Sequence, residues 1–168
     1  MKIKSKLIPL NKLFEIKHGS KLDLNKMQKT NSTDNAIAFI GRSGENNGIV
    51  SYVEILNDIE PFAKGCITVA LGGLTLASFI QMKPFYTAQN IDVLTPLTEM
   101  SFDVKLYYCL CIEANRFRYS TFGREANRTL KTLLLPDIDS IPKWVNDVSK
   151  EALSSLKEDL SIVFKNSI

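Results

Sequence analysis

Histidine and cysteine are scarce in this chain of 168 residues: His18 stands alone, and the three cysteines are Cys66, Cys109 and Cys111. A single histidine excludes any site built on a histidine pair, and a catalytic triad would have to be assembled on that one residue, in a basic stretch. An odd number of cysteines, none with the paired spacing of a zinc site, argues against a disulfide framework and against structural zinc. Cys109 and Cys111 flank Leu110 in a strongly apolar run and read as two buried thiols on a helix. Long apolar runs are also missing. No stretch approaches the roughly eighteen uninterrupted apolar residues of a membrane-spanning helix, and the start, Met1-Lys2-Ile3-Lys4-Ser5-Lys6, lacks a signal-peptide core, so the expected location is the cytoplasm. Glycine and proline, 8 and 6 residues, are too few for a collagen-like chain. With 45% of its residues hydrophobic, the chain has the length and apolar content for one domain with a real core, and for a small appendage, rather than for disorder.

Nucleotide-binding signatures are absent too. A phosphate-cradling loop needs a glycine-rich turn that feeds a helix and is followed by a lysine and a hydroxyl. Gly41-Arg42-Ser43-Gly44-Glu45-Asn46-Asn47-Gly48 has no such lysine and feeds a strand pattern, and Gly72-Gly73 continues into a strand as well. No dinucleotide or methyl-donor fingerprint is present. Asp92 with Asp103-Val104-Lys105, or Glu15-Ile16-Lys17 alone, has the flavour of a metal-dependent nuclease. Asp103, however, falls in the first turn of an expected helix, where the helix dipole favours an acid in any case. These absences point to binding rather than catalysis, with no catalytic residue, metal or cofactor expected.

Charge is uneven along the chain. Residues 1–136 carry a net +5 and residues 137–168 a net −2. Eight lysines in residues 2–29 face only Glu15 and Asp23, and Arg116, Arg118, Arg124, Arg128 and Lys131 face only Glu125. Two local basic clusters with aromatic neighbours raise the odds of nucleic-acid binding in a protein of only modest net charge.

The expected architecture is α+β: a twisted, mostly antiparallel sheet with flanking helices and a C-terminal amphipathic helix of spacer type. Asn11 is a candidate cap for a short helix through Leu13, Phe14 and Ile16 that ends at Gly19. Short β-branched runs predict strands at 36–40, 49–53, 66–71, 74–81 and 91–94. Phe102, Leu106, Leu110 and Ala114 recur at helical spacing, which predicts a helix over about 102–118. After Pro136, a linker with Asp137, Asp139 and Pro142 leads to a stripe of Trp144, Val145, Val148, Ala152, Leu156, Leu160 and Val163. That stripe belongs to a long amphipathic helix that packs on the core or meets a partner helix. Residues 1–136 and 137–168 thus divide into a domain and a linker with its helix.

The order of motifs along the first part resembles a known family. It runs from Leu13-Phe14-Glu15-Ile16 with Gly19, through Ile40-Gly41, Asn46-Asn47-Gly48-Ile49, Gly65-Cys66-Ile67-Thr68-Val69 and Gly72-Gly73. Phe79, Pro84-Phe85 and Asp92-Val93-Leu94 before Pro96 follow, then Tyr119, Phe122-Gly123-Arg124 and the apolar run into Leu135-Pro136. This order is similar to the target recognition domain of restriction-modification specificity subunits, of type I and BcgI-like type II systems, over about residues 7–136. The resemblance implies a domain that reads half of a split double-stranded DNA sequence and directs methyltransferase and endonuclease subunits to it. Such subunits usually hold two recognition domains separated by long helices, whereas this chain has one domain and one candidate spacer helix. It therefore reads as a half-subunit that dimerises through the helix, a fragment, or a domain of a fused enzyme, and the initiating Met favours a complete short chain or an N-terminal fragment.

On that reading, Lys17, Lys21, Lys26 and Arg124 are the phosphate candidates, because long cations beside Gly19 or Gly123 approach a backbone closely. Arg42, Ser43, Asn46 and Asn47 are the base-reading candidates, with Arg42 suited to guanine and an asparagine to adenine. Asn47-Gly48 is also a common tight-turn dipeptide. Arg118, Tyr119, Ser120, Asn127 and Arg128 complete a second cluster, with Arg116 beside it. Val148, Ala152, Leu156 and Leu160 are the expected contacts of the final helix with a second copy or a modification subunit. Two other classes compete: a protein-interaction module or inhibitor with the same fold, and a small nuclease. The nuclease reading requires metal-dependent cleavage by the purified chain, abolished by Asp92→Ala or Asp103→Ala without unfolding. The expected outcome of a cleavage assay with added divalent cations is intact DNA.

Overall fold

A computed structural model of the chain describes residues 6–30, 36–119, 126 and 129–165, with side chains described as far as residue 158. Eleven regular elements, apart from short 3₁₀ turns, follow one another among the described residues. They are β1 (Leu7–Pro9), β2 (Phe14–His18), β3 (Ala36–Ile40), β4 (Ile49–Glu54), β5 (Ile67–Ala70), β6 (Ser78–Ile80), β7 (Phe85–Thr87), β8 (Ile91–Pro96), α1 (Phe102–Glu113), β9 (Leu134–Pro136) and α2 (Val148–Lys165). β2, β8, β5 and β6 form a four-stranded antiparallel sheet in that order. β4, β3 and β7 form a second sheet, with β3 antiparallel to β4 and parallel to β7. β1 pairs with β9, and the Lys6–Asp137 ion pair of 2.7 Å continues that junction. The mixed α+β architecture agrees with the sequence expectation.

The strand patterns show how the layers pack. All four residues of β5 are buried, as a central strand covered on both faces requires. One side of its sheet carries the larger core, where Phe14, Ile67, Val69 and Leu94 meet Tyr108 and Ile112 of α1. Phe14 and Tyr108 cross edge to face with ring centroids 5.4 Å apart. The other side meets the second sheet through Ala38, Ile40, Cys66, Phe85, Ile91 and Val93. β3 alternates faithfully: Ala38 and Ile40 enter that layer, whereas Ile37 and Phe39 point to a third cluster covered by Leu22, Leu24 and Met27. The buried hydroxyl of Tyr86 in that cluster donates to the Ile59 carbonyl and accepts from the Leu56 amide, which ties down the 56–59 loop.

Three expectations need correction. The helix drawn from Asn11 to Gly19 is a 3₁₀ turn over Leu10–Lys12 followed by β2. Phe14 is buried while Glu15 and Lys17 lie outside, so the true period is two, and five consecutive pairs with β8 hold it. Gly19 ends this strand by close approach rather than by capping a helix: a Cβ there would run into the Thr87 hydroxyl. The strand expected at 74–81 is confined to β6, because the 71–77 segment folds into a tight loop. The helix expected to reach 118 ends at Glu113 and is followed by a 3₁₀ turn over Arg116–Tyr119.

α1 starts at Ser101, whose hydroxyl accepts from the Val104 amide, and buries Val104, Tyr108, Cys109 and Ile112. The stripe that predicted the helix is on its other side, with Phe102, Leu106 and Leu110 exposed by 49%, 39% and 58%. The helix is therefore apolar on both faces. Burial pushes the Cys109 thiol up to about 12, which fits an inert core residue. No helix among the described residues is long and apolar enough to cross a membrane.

The residues of the nuclease-like motif have separate structural duties. Asp103 caps α2, its carboxylate accepting from both the amide and the hydroxyl of Ser149. Lys105 donates to the Gly65 carbonyl at 2.8 Å, and Asp92 engages His18. Among the described residues no group of three or more His, Cys, Asp and Glu side chains is placed to hold a metal ion. Asp103→Ala is expected to lower stability by about 1–3 kcal/mol, with the first turn of α2 losing hydrogen-exchange protection ahead of β5; unchanged protection there would refute the clasp.

Candidate nucleic-acid interface

The glycine-rich segment 41–48 is a rigid loop. Gly41 and Gly48 close it through an amide-to-carbonyl bond of 2.8 Å, and the Gly48 amide bonds back to Glu45. Asn46, Asn47 and Gly48 take left-handed conformations in succession, with φ of 49°, 53° and 77°, which asparagine and glycine tolerate best. The Ser43 hydroxyl accepts from the Glu45 amide, and the Asn46 side chain donates to the Ile49 carbonyl. From beneath, the buried Gln81 amide donates both to the Asn47 carbonyl at 3.0 Å and to Thr68 of β5 at 2.9 Å. The asparagines therefore do build a turn, as the dipeptide suggested, and Arg42 stands exposed on it.

A second loop, 71–77, lies against the first. Gly73, with φ of 67°, packs so closely on Arg42 that a Cβ would lie 3.1 Å from that of Arg42, and Gly44 leaves space for Leu74. Leu76 is fully buried at φ of 64°, an unusual conformation for a branched side chain, and is held by its amide bond to the Ala70 carbonyl. Arg116 reaches this loop from beyond α1, donating through Nε to the Thr75 carbonyl at 2.9 Å. Glu113, 3.8 Å from Arg116, accepts from the Ser78 amide. At the near end of the loop, the Leu71 carbonyl accepts from the Ala126 amide, and its amide donates to Asn90.

Three cations lie around this second loop. Arg42 packs on Gly73, Arg116 bonds Thr75, and Lys21 shares with Leu71 and Asn90 a depression of about 270 Å³. Arg118 is exposed, its guanidinium 5.7 Å from the Phe117 ring centroid, and the Tyr119 hydroxyl bonds Thr129 at 2.9 Å. Lys17 pairs with Glu15 on the outside of β2 at 3.4 Å. Lys26 is on a 3₁₀ turn capped by Asp23, beside the cluster that covers β3, and no contact among the described residues brings it to the 71–77 loop. Ser120, Arg124, Asn127 and Arg128 lie outside the described residues.

One feature escaped the sequence reading. His18 and Asp92 face each other across the β2–β8 register, with Nδ1 and Oδ1 2.6 Å apart. Asp92 is buried and His18 is largely exposed. Burial raises the Asp92 carboxyl above its usual range, against the opposing hydrogen bond and charge of His18 and the charge of Lys21. His18 borders the Lys21 depression and a larger one of about 640 Å³ reached by Asn11, Glu15 and Lys131. The signals in sequence were a unique histidine beside Gly19 and an acid inside an apolar strand.

The fold has counterparts among known proteins. A family model for the type I restriction modification DNA specificity domain matches residues 3–136. The chain belongs to this family. The specificity subunit S.BcgI of a type II restriction enzyme from Heyndrickxia coagulans is 25% identical over 166 residues, 95% of this chain and 47% of that one. Among solved structures, the S subunit of the type I restriction-modification system from M. genitalium superposes with a TM-score of 0.59 at 15% identity, covering 96% of this chain and 43% of that one. The HsdS subunit from Thermoanaerobacter tengcongensis gives 0.60 at 14% identity, covering 92% and 39%. The chain thus spans less than half the length of these relatives, and the structural likenesses establish the fold.

Two outcomes follow for this specificity domain. Arg116→Ala is expected to lower stability by about 1–2 kcal/mol in thermal denaturation, through loss of the Thr75 bond, while Arg118→Ala leaves it within about 0.5 kcal/mol. A carboxyl whose folded pKa is raised binds its proton more tightly in the fold than in the unfolded chain, so it costs stability as pH rises from its unfolded pKa through its folded one. The stability of the native chain relative to Asp92→Asn is therefore expected to fall as pH rises above about 4; a difference that grows the other way would show that the His18 pair dominates.

Proposed function

We propose that the chain is the sequence-reading unit of a restriction-modification system, with residues 1–136 as the DNA recognition domain and 137–168 as a linker and docking helix. The observation that carries this reading is the stacking of the 41–48 and 71–77 loops, which sets Arg42, Arg116 and Lys21 from three distant segments around one rim. Family membership supplies the polymer: double-stranded DNA. Arg42, exposed on a loop braced by Gln81, is the leading base reader, because a rigid base lets a guanidinium address guanine with both donors. Ser43 and Asn46 spend their side chains on loop geometry, so asparagine readout falls to Asn47. Lys17, Lys21, Lys26 and Arg124 are the phosphate contacts of this reading, and Arg118, Tyr119, Ser120, Asn127 and Arg128 are its further DNA contacts. The domain itself has no catalytic role; methylation and cleavage belong to methyltransferase and endonuclease subunits that it directs to the target.

A second surface supports the docking role. Leu106 and Leu110 of α1 join Trp144, Val145 and Val148 around an apolar groove of about 100 Å³, with Asp103 and Tyr107 at its side. Leu156 is 54% exposed and Ala152 is exposed too, while Leu160 continues the helix beyond the described side chains. Val148, Ala152, Leu156 and Leu160 then meet a helix of a second copy or of a modification subunit.

Selection from a randomised duplex pool at two salt concentrations tests the reading. The expected result is an enriched motif whose binding weakens tenfold or more in Arg42→Ala, the cost of about 1–3 kcal/mol for one bidentate base contact. Absence of binding at low salt would favour the protein-interaction reading instead. In sedimentation, alone and with a modification subunit, Leu156→Glu is expected to abolish association; a chain that stays monomeric in both settings would remove the docking role.

A further inference from the structure

The His18–Asp92 pair is a built polar site on the rim that the reading above leaves without a task. A buried carboxylate needs a partner, and backbone amides or a buried hydroxyl would serve. Asp92 instead takes an imidazole whose side chain is 63% exposed, at 2.6 Å. The bond occupies Nδ1 and so leaves Nε2 for the outside. The position is fixed from both directions: β2 and β8 are paired at this very residue, and Gly19 follows with its amide on the Ile91 carbonyl and no room for a side chain. His18 therefore sits on a rigid edge where two depressions adjoin, with Lys21 bordering one and Lys131 the other. Among the described residues, the charged groups that face it are Asp92 from β8, Lys21 from the loop after β2, Lys131 from the turn before β9, and Glu15 of its own strand, which is paired with Lys17.

We propose that His18, held by Asp92 between Lys21 and Lys131, is a DNA backbone-phosphate contact that acts through its protonated imidazole. The inference rests on the DNA-reading role proposed above and names a contact within it. Protonation gives Nε2 a donated hydrogen and the ring a positive charge, and the buried Asp92 carboxylate faces that charge on the side away from the ligand. A charged donor on a phosphodiester oxygen is among the stronger hydrogen bonds, and it carries no information about base sequence. Because the imidazole is the side chain whose charge ordinarily changes near neutrality, the contact makes binding tighter on the acid side of pH 7. Asp92 is a positioning residue that acts through His18.

The test measures affinity of the full chain for its selected duplex, and for an unrelated duplex, at about pH 6 and pH 8 and at fixed salt. His18→Gln and Asp92→Asn are compared with the native chain after thermal melting has shown that they fold. The expected result is that native binding tightens about fivefold more than His18→Gln binding between the two pH values, on both duplexes alike. The chain has no other histidine, and the amino terminus is common to both proteins, so the difference belongs to His18. The double variant with both His18→Gln and Asp92→Asn is expected to bind no more weakly than His18→Gln alone, whereas a merely structural Asp92 would add its own loss. The enriched motif is expected to be the same in all three proteins. Equal pH profiles for His18→Gln and the native chain would overturn the proposal while the Arg42 result still stood, and so would a changed motif, which would make His18 a base reader. A native chain that binds neither duplex would overturn the DNA-reading role, and this contact with it.

Discussion

The way β5 ends sets the geometry of the rim. Ala70 is the last residue of a strand buried on both faces, and its amide and carbonyl are taken by Ala77 and Leu76. The chain therefore has six residues in which to leave the sheet and return to it, and it does so with Leu76 fully buried at a positive φ. Burial of the leucine against the α1 core offsets the backbone strain, which is of order 1–3 kcal/mol. Because the loop is over-determined in this way, its carbonyls and its glycine are fixed points. Arg42 leans on one, Arg116 bonds another, and the Ala126 amide bonds a third.

The same economy governs the buried polar groups. Gln81, Thr87, Ser78, Asp92 and Asp103 are all buried, and each holds a connection rather than another core residue. Gln81 fixes the 41–48 loop, Thr87 receives the Ser20 amide, and the Ser78 hydroxyl donates to the Leu76 carbonyl. Among the described residues no buried side-chain nitrogen or oxygen lacks a partner. A recognition surface made of loops needs such anchors, since loops have little apolar area of their own with which to resist motion, and a base-reading side chain on a mobile loop would discriminate poorly.

The sequence made the sheet legible where one face was plainly apolar. β3, β4, β5 and β8 announce themselves by β-branched runs bounded by glycine or asparagine, and α1 and α2 by their spacing. β2 was misread because Leu13, Phe14 and Ile16 fit a helical turn as readily as an alternating strand, and Gly19 fits a helix end as readily as a close approach to Thr87. β1 and β9 are three residues each, and their pairing spans more than 120 positions, so no local pattern could reveal it. The same applies at the rim. Arg42 and the asparagine turn were visible as a polar, glycine-rich connection, but their proximity to Gly73 depends on how two sheets stack. His18 and Asp92 are 74 residues apart, and only the antiparallel register brings them opposite each other.

α1 links the two proposed surfaces mechanically. Its first turn holds Asp103, which caps α2, and its last turn holds Glu113, which receives Ser78 and lies beside Arg116 on the way to Thr75. Twelve residues of helix span about 18 Å, and the inner face is locked into the core by Tyr108 and Ile112. The proposed docking groove runs along α1 from Asp103 to Leu110, and the proposed DNA-reading rim is tied to its last turn through Glu113. A helix that is apolar on both faces serves this arrangement. The inner stripe fixes its position against the sheet, and the outer stripe of Phe102, Leu106 and Leu110 offers contact area without weakening that hold. A partner seated on the outer stripe would therefore meet the 41–48 and 71–77 loops at a constant distance and orientation, as the proposed role requires.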